Sequence, residues 1–177
     1  MRRVGLAATL VFLLAGLGRM GYAAETDAQL VNESRQTMAL YRQKDPSIGG
    51  FFGRSVAYVV FPSIAKGGLG IGAAHGTGIL FENGAPAGKV SMNQVSVGAQ
   101  AGGQEFSQIV FYQVPKAVAE LKLGKAELSG QLSAVALKSG AAADAQFKNG
   151  VAVFTAAKGG LMFEASVGGQ KFSYAAF

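Results

Sequence analysis

The chain has 177 residues, 50% of them hydrophobic, with 26 glycines, no cysteine, no tryptophan and a formal net charge of +6. No disulfide framework, thiol chemistry or lipidated N-terminal cysteine is possible. The charge is too modest and too dispersed for a nucleic-acid footprint.

The N-terminus reads as an export signal. Arg2 and Arg3 precede the apolar run Val4 to Leu17, and the small-residue exit Gly21-Tyr22-Ala23-Ala24 follows. The apolar run is shorter than the roughly 20 residues of a spanning helix. Residues 1–24 are therefore expected to be removed, placing the protein in the periplasm, at the outer membrane or outside the cell. Loss of Arg2, Arg3 and Arg19 lowers the net charge to +3. The remaining 153 residues, 25–177, suit one domain.

Glu25 to Lys44 reads as a helix, free of Gly and Pro, with Val31, Met38 and Tyr41 near one stripe. Asp45-Pro46 should stop it, because the residue before proline avoids the helical region. From residue 51 onward the texture is that of strands. Val56 to Phe61 is one, ended by Pro62, and Leu69 to Phe81 is a second. Asn83-Gly84 marks a tight hairpin, followed by strands at Val90 to Ala101 and Ile109 to Tyr112. Pro115 opens a short helix through Leu123, with Gly124 as its stop. Strand-like segments run to Lys138, Ser139 to Ala145 is a loop, and Asn149-Gly150 marks another hairpin. Val151 to Phe154, Leu161 to Val167 and Gln170 to Phe177 complete the chain. The expected fold is mainly β within an α+β class. Antiparallel glycine-rich sheets form a sandwich or partial barrel, with an N-terminal helix and one short internal helix.

Two patterns go further. Val60-Phe61 is followed by Ala65-Lys66-Gly67-Gly68-Leu69, and Val153-Phe154 by Ala157-Lys158-Gly159-Gly160-Leu161. This suggests a pseudo-repeat in which both Lys-Gly-Gly segments form hairpin turns at one end of the domain. Separately, Gly68, Gly70, Gly72, Gly76 and Gly78 occupy alternate positions, leaving one strand face nearly bare. Such a face implies close approach, by a neighbouring part of the protein or by a ligand.

Catalytic constellations are missing. No phosphate-binding glycine fingerprint has the right spacing, and Lys66 precedes its glycines where a P-loop lysine follows them. His75 is the single histidine, and no serine stands in a nucleophile elbow. The expectation is a non-enzymatic protein without metal or cofactor.

The segment Val56 to Gly78 resembles the SYLF domain family, through Lys66-Gly67-Gly68 and the alternating glycines. The resemblance extends through Gly98-Ala99-Gln100-Ala101-Gly102-Gly103-Gln104 to Lys158-Gly159-Gly160-Leu161 and Ser166-Val167-Gly168-Gly169. It implies a lipid-binding module covering nearly all of residues 25–177, most similar to exported bacterial members. Eukaryotic relatives bind phosphoinositides, and some bind actin. For an exported protein the implied partner is an anionic phospholipid membrane, bound peripherally. The expected lipid-binding residues are Phe51 and Phe52 as a wedge, with Arg54, Lys66 and Lys158 as headgroup contacts. A structural or protein-interaction module is the alternative. An outer-membrane β-barrel fits less well, since alternate residues back from Phe177 form a poor lipid-facing row.

Overall fold

A computed structural model describes the backbone of residues 8–128, 132, 134–158 and 169–177, and their side chains except those of 8–25, 69–70 and 96–102. In chain order the elements are helix α1 (Ala8–Lys44), a 3-10 turn (Pro46–Ile48), helix α2 (Gly49–Arg54), and strands β1 (Ala57–Glu82) and β2 (Ala85–Tyr112). They continue with helix α3 (Pro115–Lys122) and strands β3 (Glu127–Leu128), β4 (Val135–Ala136), β5 (Val151–Lys158) and β6 (Gln170–Ala176). The architecture is mainly β: a sheet curled into a half-barrel, with an N-terminal helix and a short internal helix, as the strand and turn pattern implies.

The frame is one long hairpin. Asn83 and Gly84 both hold positive φ, 50° and 79°, which suits the tight turn joining Glu82 to its partner Ala85. β1 pairs with β2 along its whole length, and β2 pairs on its other side with β6 (residues 88–94) and β5 (residues 105–112). The four strands expected within 56–112 are therefore two continuous ones. Pro62 does not end the first of them. It sits at the register shift between Phe61 and Ile64, on a strand whose second edge has no partner strand among the described residues, so its missing N–H costs no ladder bond. One pairing is not antiparallel: β4 lies parallel to β5, with Val135 opposite Phe154.

The glycine row explains how the hairpin curls. β1 bends at Gly67–Ile71 and folds its second half back across its first. A Cβ at Gly78 would lie 2.3 Å from the Val60 carbonyl oxygen, and one at Gly76 2.9 Å from that of Ser63. The close partner is thus β1 itself. At the bend Gly68 has φ 152°, and a Cβ there would meet the Ile71 carbonyl oxygen at 2.1 Å.

Curling buries two apolar layers. Inside the curl lie Val59, Phe61, Ile64, Leu80, Met92, Val110, Phe172 and the α3 residues Val118 and Leu121. On the outer face, Tyr58, Val60, Ile79, Ile109, Phe111 and Phe154 are covered by Val31, Met38 and Tyr41 of α1 and by Phe51 of α2. The stripe expected on the first helix is the stripe that packs. Tyr41 also donates from its hydroxyl to the Ser107 carbonyl, 2.8 Å away. The helix is continuous from Ala8, so residue 25 is not a helix boundary.

Candidate functional site

The five residues expected to meet lipid are divided between opposite ends of the molecule. Phe51, Phe52 and Arg54 lie on α2, just ahead of β1, whereas Lys66 lies at the bend. Lys66 is nine positions along the strand from Ala57, roughly 30 Å at the usual rise.

Phe51 is fully buried, its ring 4.8 Å from that of Phe154, 5.0 Å from Phe147 and 5.7 Å from Phe111. It is a core residue and not a membrane wedge. The strand texture expected from residue 51 does not begin there: Gly49–Arg54 is helical, and that turns the two adjacent rings in different directions. Phe52 is half-buried, edge-on to Tyr58 (5.0 Å) and Phe111 (4.9 Å), with the Arg42 guanidinium 4.0 Å above it. Arg54 donates from Nε to the Gly50 carbonyl at 3.0 Å and lies 5.0 Å from the Phe51 ring centre. These contacts complete the outer core where α2 meets the sheet.

The bend gathers the other two. Lys66 is opposite Gln104 on β2, and Lys158, at the end of β5, is opposite Glu105. Residues 92 positions apart therefore come to adjacent register positions two strands apart. Directly opposed residues share a face and successive residues alternate, so Lys66 leaves the sheet on the inner side and Lys158 on the outer. Neither Lys66 nor Gly67 is in a turn; both lie within β1 and pair with β2, which corrects the hairpin-turn reading of the first Lys-Gly-Gly. The second Lys-Gly-Gly continues into residues 159–168, outside the described residues, as does the strand expected at Leu161 to Val167.

Lys158 is 3.2 Å from Glu105, which also accepts from the Ser63 hydroxyl at 2.6 Å. The Ser63 hydrogen bond first, and then Lys158, hold the Glu105 carboxyl below its ordinary range. Lys158 and Glu105 are both exposed, so the pair contributes little stability and leaves the Lys158 ammonium accessible.

Sequence reasoning missed what stands beside these lysines. On the outer face past the bend, Ile71 is 66% exposed and Val95 70%, two large aliphatic side chains on adjoining strands. Ala73 pairs with Val95, and Ile71 lies one row further toward the bend. In the next row inward His75 and Asn93 are joined at 2.9 Å, and Lys171 of β6 lies opposite Asn93, with Glu127 beyond it. A row of hydroxyls follows, Thr77, Ser91 and Ser173. After that α1 covers the face, tied by Asp27 to Lys89 at 2.8 Å. The signal was present in sequence as the odd-numbered positions between the glycines.

Within the curl, Gln94, Gln108 and Gln170 are buried and interlinked by amide hydrogen bonds of 2.8 to 3.2 Å. No group of three or more His, Cys, Asp or Glu comes together among the described residues. Nor is any helix among them long and apolar enough to cross a membrane, which leaves strand-crossing open. No family model matches the chain, and no curated protein matches it.

Proposed function

We propose that this is an exported, non-enzymatic domain that binds anionic phospholipid membranes peripherally, through the end of the molecule where β1 bends. The observation that carries this reading is the convergence of Lys66 and Lys158 at that end, one on each face of the sheet. Two long flexible cations flanking one end suit an extended anionic surface better than a single small anion. Each such residue near an anionic bilayer adds about 1 kcal/mol of attraction. The export signal at Arg2 to Ala24 and the resemblance to lipid-binding SYLF domains point the same way.

Phe51 and Phe52 leave the proposed site, and Arg54 leaves it with them, since they serve the core at the opposite end. The barrel alternative loses ground on the outer face. There a helix and the Lys89–Asp27 ion pair lie where a lipid-facing strand surface would be required.

Flotation tests the reading. The exported chain should float with phosphatidylglycerol-rich liposomes, float weakly with phosphatidylcholine alone, and be largely released at about 0.5 M salt. Binding insensitive to both salt and lipid charge, or no binding, would return the protein to the interaction-module reading.

A further inference from the structure

We infer that the outer face of the β1–β2 ribbon beside the bend is the part of the protein that enters the lipid, with Ile71, Ala73 and Val95 reaching past the headgroups and Lys171 held at headgroup depth. This rests on the membrane reading above and adds an orientation and a depth to it.

Polarity is ordered along the strands. Rows sharing a face are two residues apart, roughly 7 Å. The Ile71 row and the Ala73–Val95 row carry only aliphatic groups among the described side chains. One row further, the imidazole–amide pair of His75 and Asn93 lies level with Lys171. The hydroxyl row of Thr77, Ser91 and Ser173 comes next, and the α1 helix after that. Among the described side chains, polarity therefore rises along these strands from the bend toward the helix. On the far side of the bend the same face next carries Glu105 and Lys158, so cations stand on both flanks of the aliphatic rows, where anionic headgroups would surround an inserted apolar tip.

A gradient of this kind fits a boundary that has a depth axis. The two aliphatic rows span roughly 7 Å, within the 5–10 Å to which peripheral elements sink below the headgroups. Lys171 then stands about 13 Å from the Ile71 row, where a lysine stem can reach back to phosphate. Lys66 and Lys158 flank the same end and would meet headgroups on either side. Ile71 and Val95 stay so exposed because no other element covers this face among the described residues; α1 packs only as far as Ile79 and Lys89.

The absence of tryptophan from the chain makes a direct test available. Ile71→Trp and Val95→Trp would each be a single reporter, with Leu123→Trp, about equally exposed just after α3 at the far end, as control. Liposomes are phosphatidylglycerol and phosphatidylcholine in equal parts, with and without brominated acyl chains. Emission from the first two reporters should shift to the blue on binding and be quenched by bromine, while the control stays unchanged. Ile71→Asp with Val95→Asp should weaken partitioning about tenfold or more, the equivalent of losing part of two aliphatic contacts, with far-UV dichroism unchanged. Flotation without any shift or quenching would overturn the insertion while leaving peripheral binding standing. No flotation of the unmodified chain would remove both. A blue shift that needs no liposomes and grows with protein concentration would show a second copy on this face and would also overturn it.

Discussion

Replacing Gly78 with alanine tests the central feature of the fold, the return of β1 across itself. The methyl group would be placed 2.3 Å from the Val60 carbonyl oxygen and 2.8 Å from the Phe61 ring. The ring can turn, but the carbonyl belongs to a strand bonded to β2 at Val60–Ile109 and neighbouring positions. Relief therefore requires the two halves of β1 to separate, loosening contacts around Phe61 and Ile64. Overpacking of this kind costs 1–3 kcal/mol where side chains can adjust. With backbone as the obstacle the upper half of that range applies, about 2–3 kcal/mol. At 2–4 °C per kcal/mol for a domain of this size, the melting temperature should fall by roughly 4–12 °C. Gly53→Ala is the matched control: it lies in α2 with nothing within 4 Å of the new methyl. It should be neutral or stabilising by about 0.5–1 kcal/mol through helix propensity. Thermal unfolding followed by circular dichroism compares the two. If Gly78→Ala melts within 2 °C of the unsubstituted chain, the two halves do not meet as described and the bend loses its physical basis.

Three further outcomes follow from the same geometry. Asp45 is buried and accepts from the Ser47 side chain and from the backbone N–H of Ser47 and Ala142. Burial acts to raise its pKa, but these hydrogen bonds outweigh that and hold the carboxyl below its ordinary value. With the folded pKa depressed, its contribution is complete above the unfolded pKa of about 4 and is lost as pH falls below that. Asp45→Asn should thus lower stability at pH 7 and flatten the acid limb of a denaturation series; an unchanged limb counts against this role. Gln108→Leu removes the donor to the carbonyl oxygen of buried Gln170, whose amide nitrogen keeps Gln94, and should cost about 1–3 kcal/mol in urea unfolding, whereas Gln108→Leu with Gln170→Leu should cost less than the two singles summed. Tyr41→Phe removes the hydroxyl bond to Ser107 and should cost about 1 kcal/mol without altering the circular dichroism spectrum.

What was legible in the sequence was local. Asn83-Gly84 and Asn149-Gly150 announce their turns because positive φ at two successive residues is a demand few residue pairs meet, and both pairs adopt it. The alternating glycines announced a close approach for the same reason, since a bare strand face has few other uses. What approaches was not legible, because Val60 and Ser63 reach Gly78 and Gly76 only after the chain has bent through Gly68. Pro62 misled because its cost depends on whether its strand edge is paired, which is a property of the whole sheet. Phe51 and Phe52 misled more seriously. Two phenylalanines beside glycines and an arginine fit a membrane wedge equally well as a core corner, and only the placement of Phe111, Phe147 and Phe154 around the first ring decides between them. The lysines were read as a pair from a repeat, and they do come to one end, but as neighbouring rungs of a sheet and not as matching turns.

The most direct test of the account asks which end of the molecule meets the membrane. Lys66→Ala with Lys158→Ala neutralises the bend, and Arg42→Ala with Arg54→Ala neutralises the helix end, each removing two positive charges. Partitioning of both variants onto phosphatidylglycerol-rich liposomes should be measured at one salt concentration, about 0.15 M. The bend pair should lose roughly 5- to 30-fold in partitioning, up to about 1 kcal/mol per lysine and less for the one that also meets Glu105. The helix-end pair should lose less than about twofold once correct folding is verified, its charges standing roughly 30 Å away and beyond a Debye length at physiological salt. Equal losses, or a larger loss at the helix end, would contradict the account.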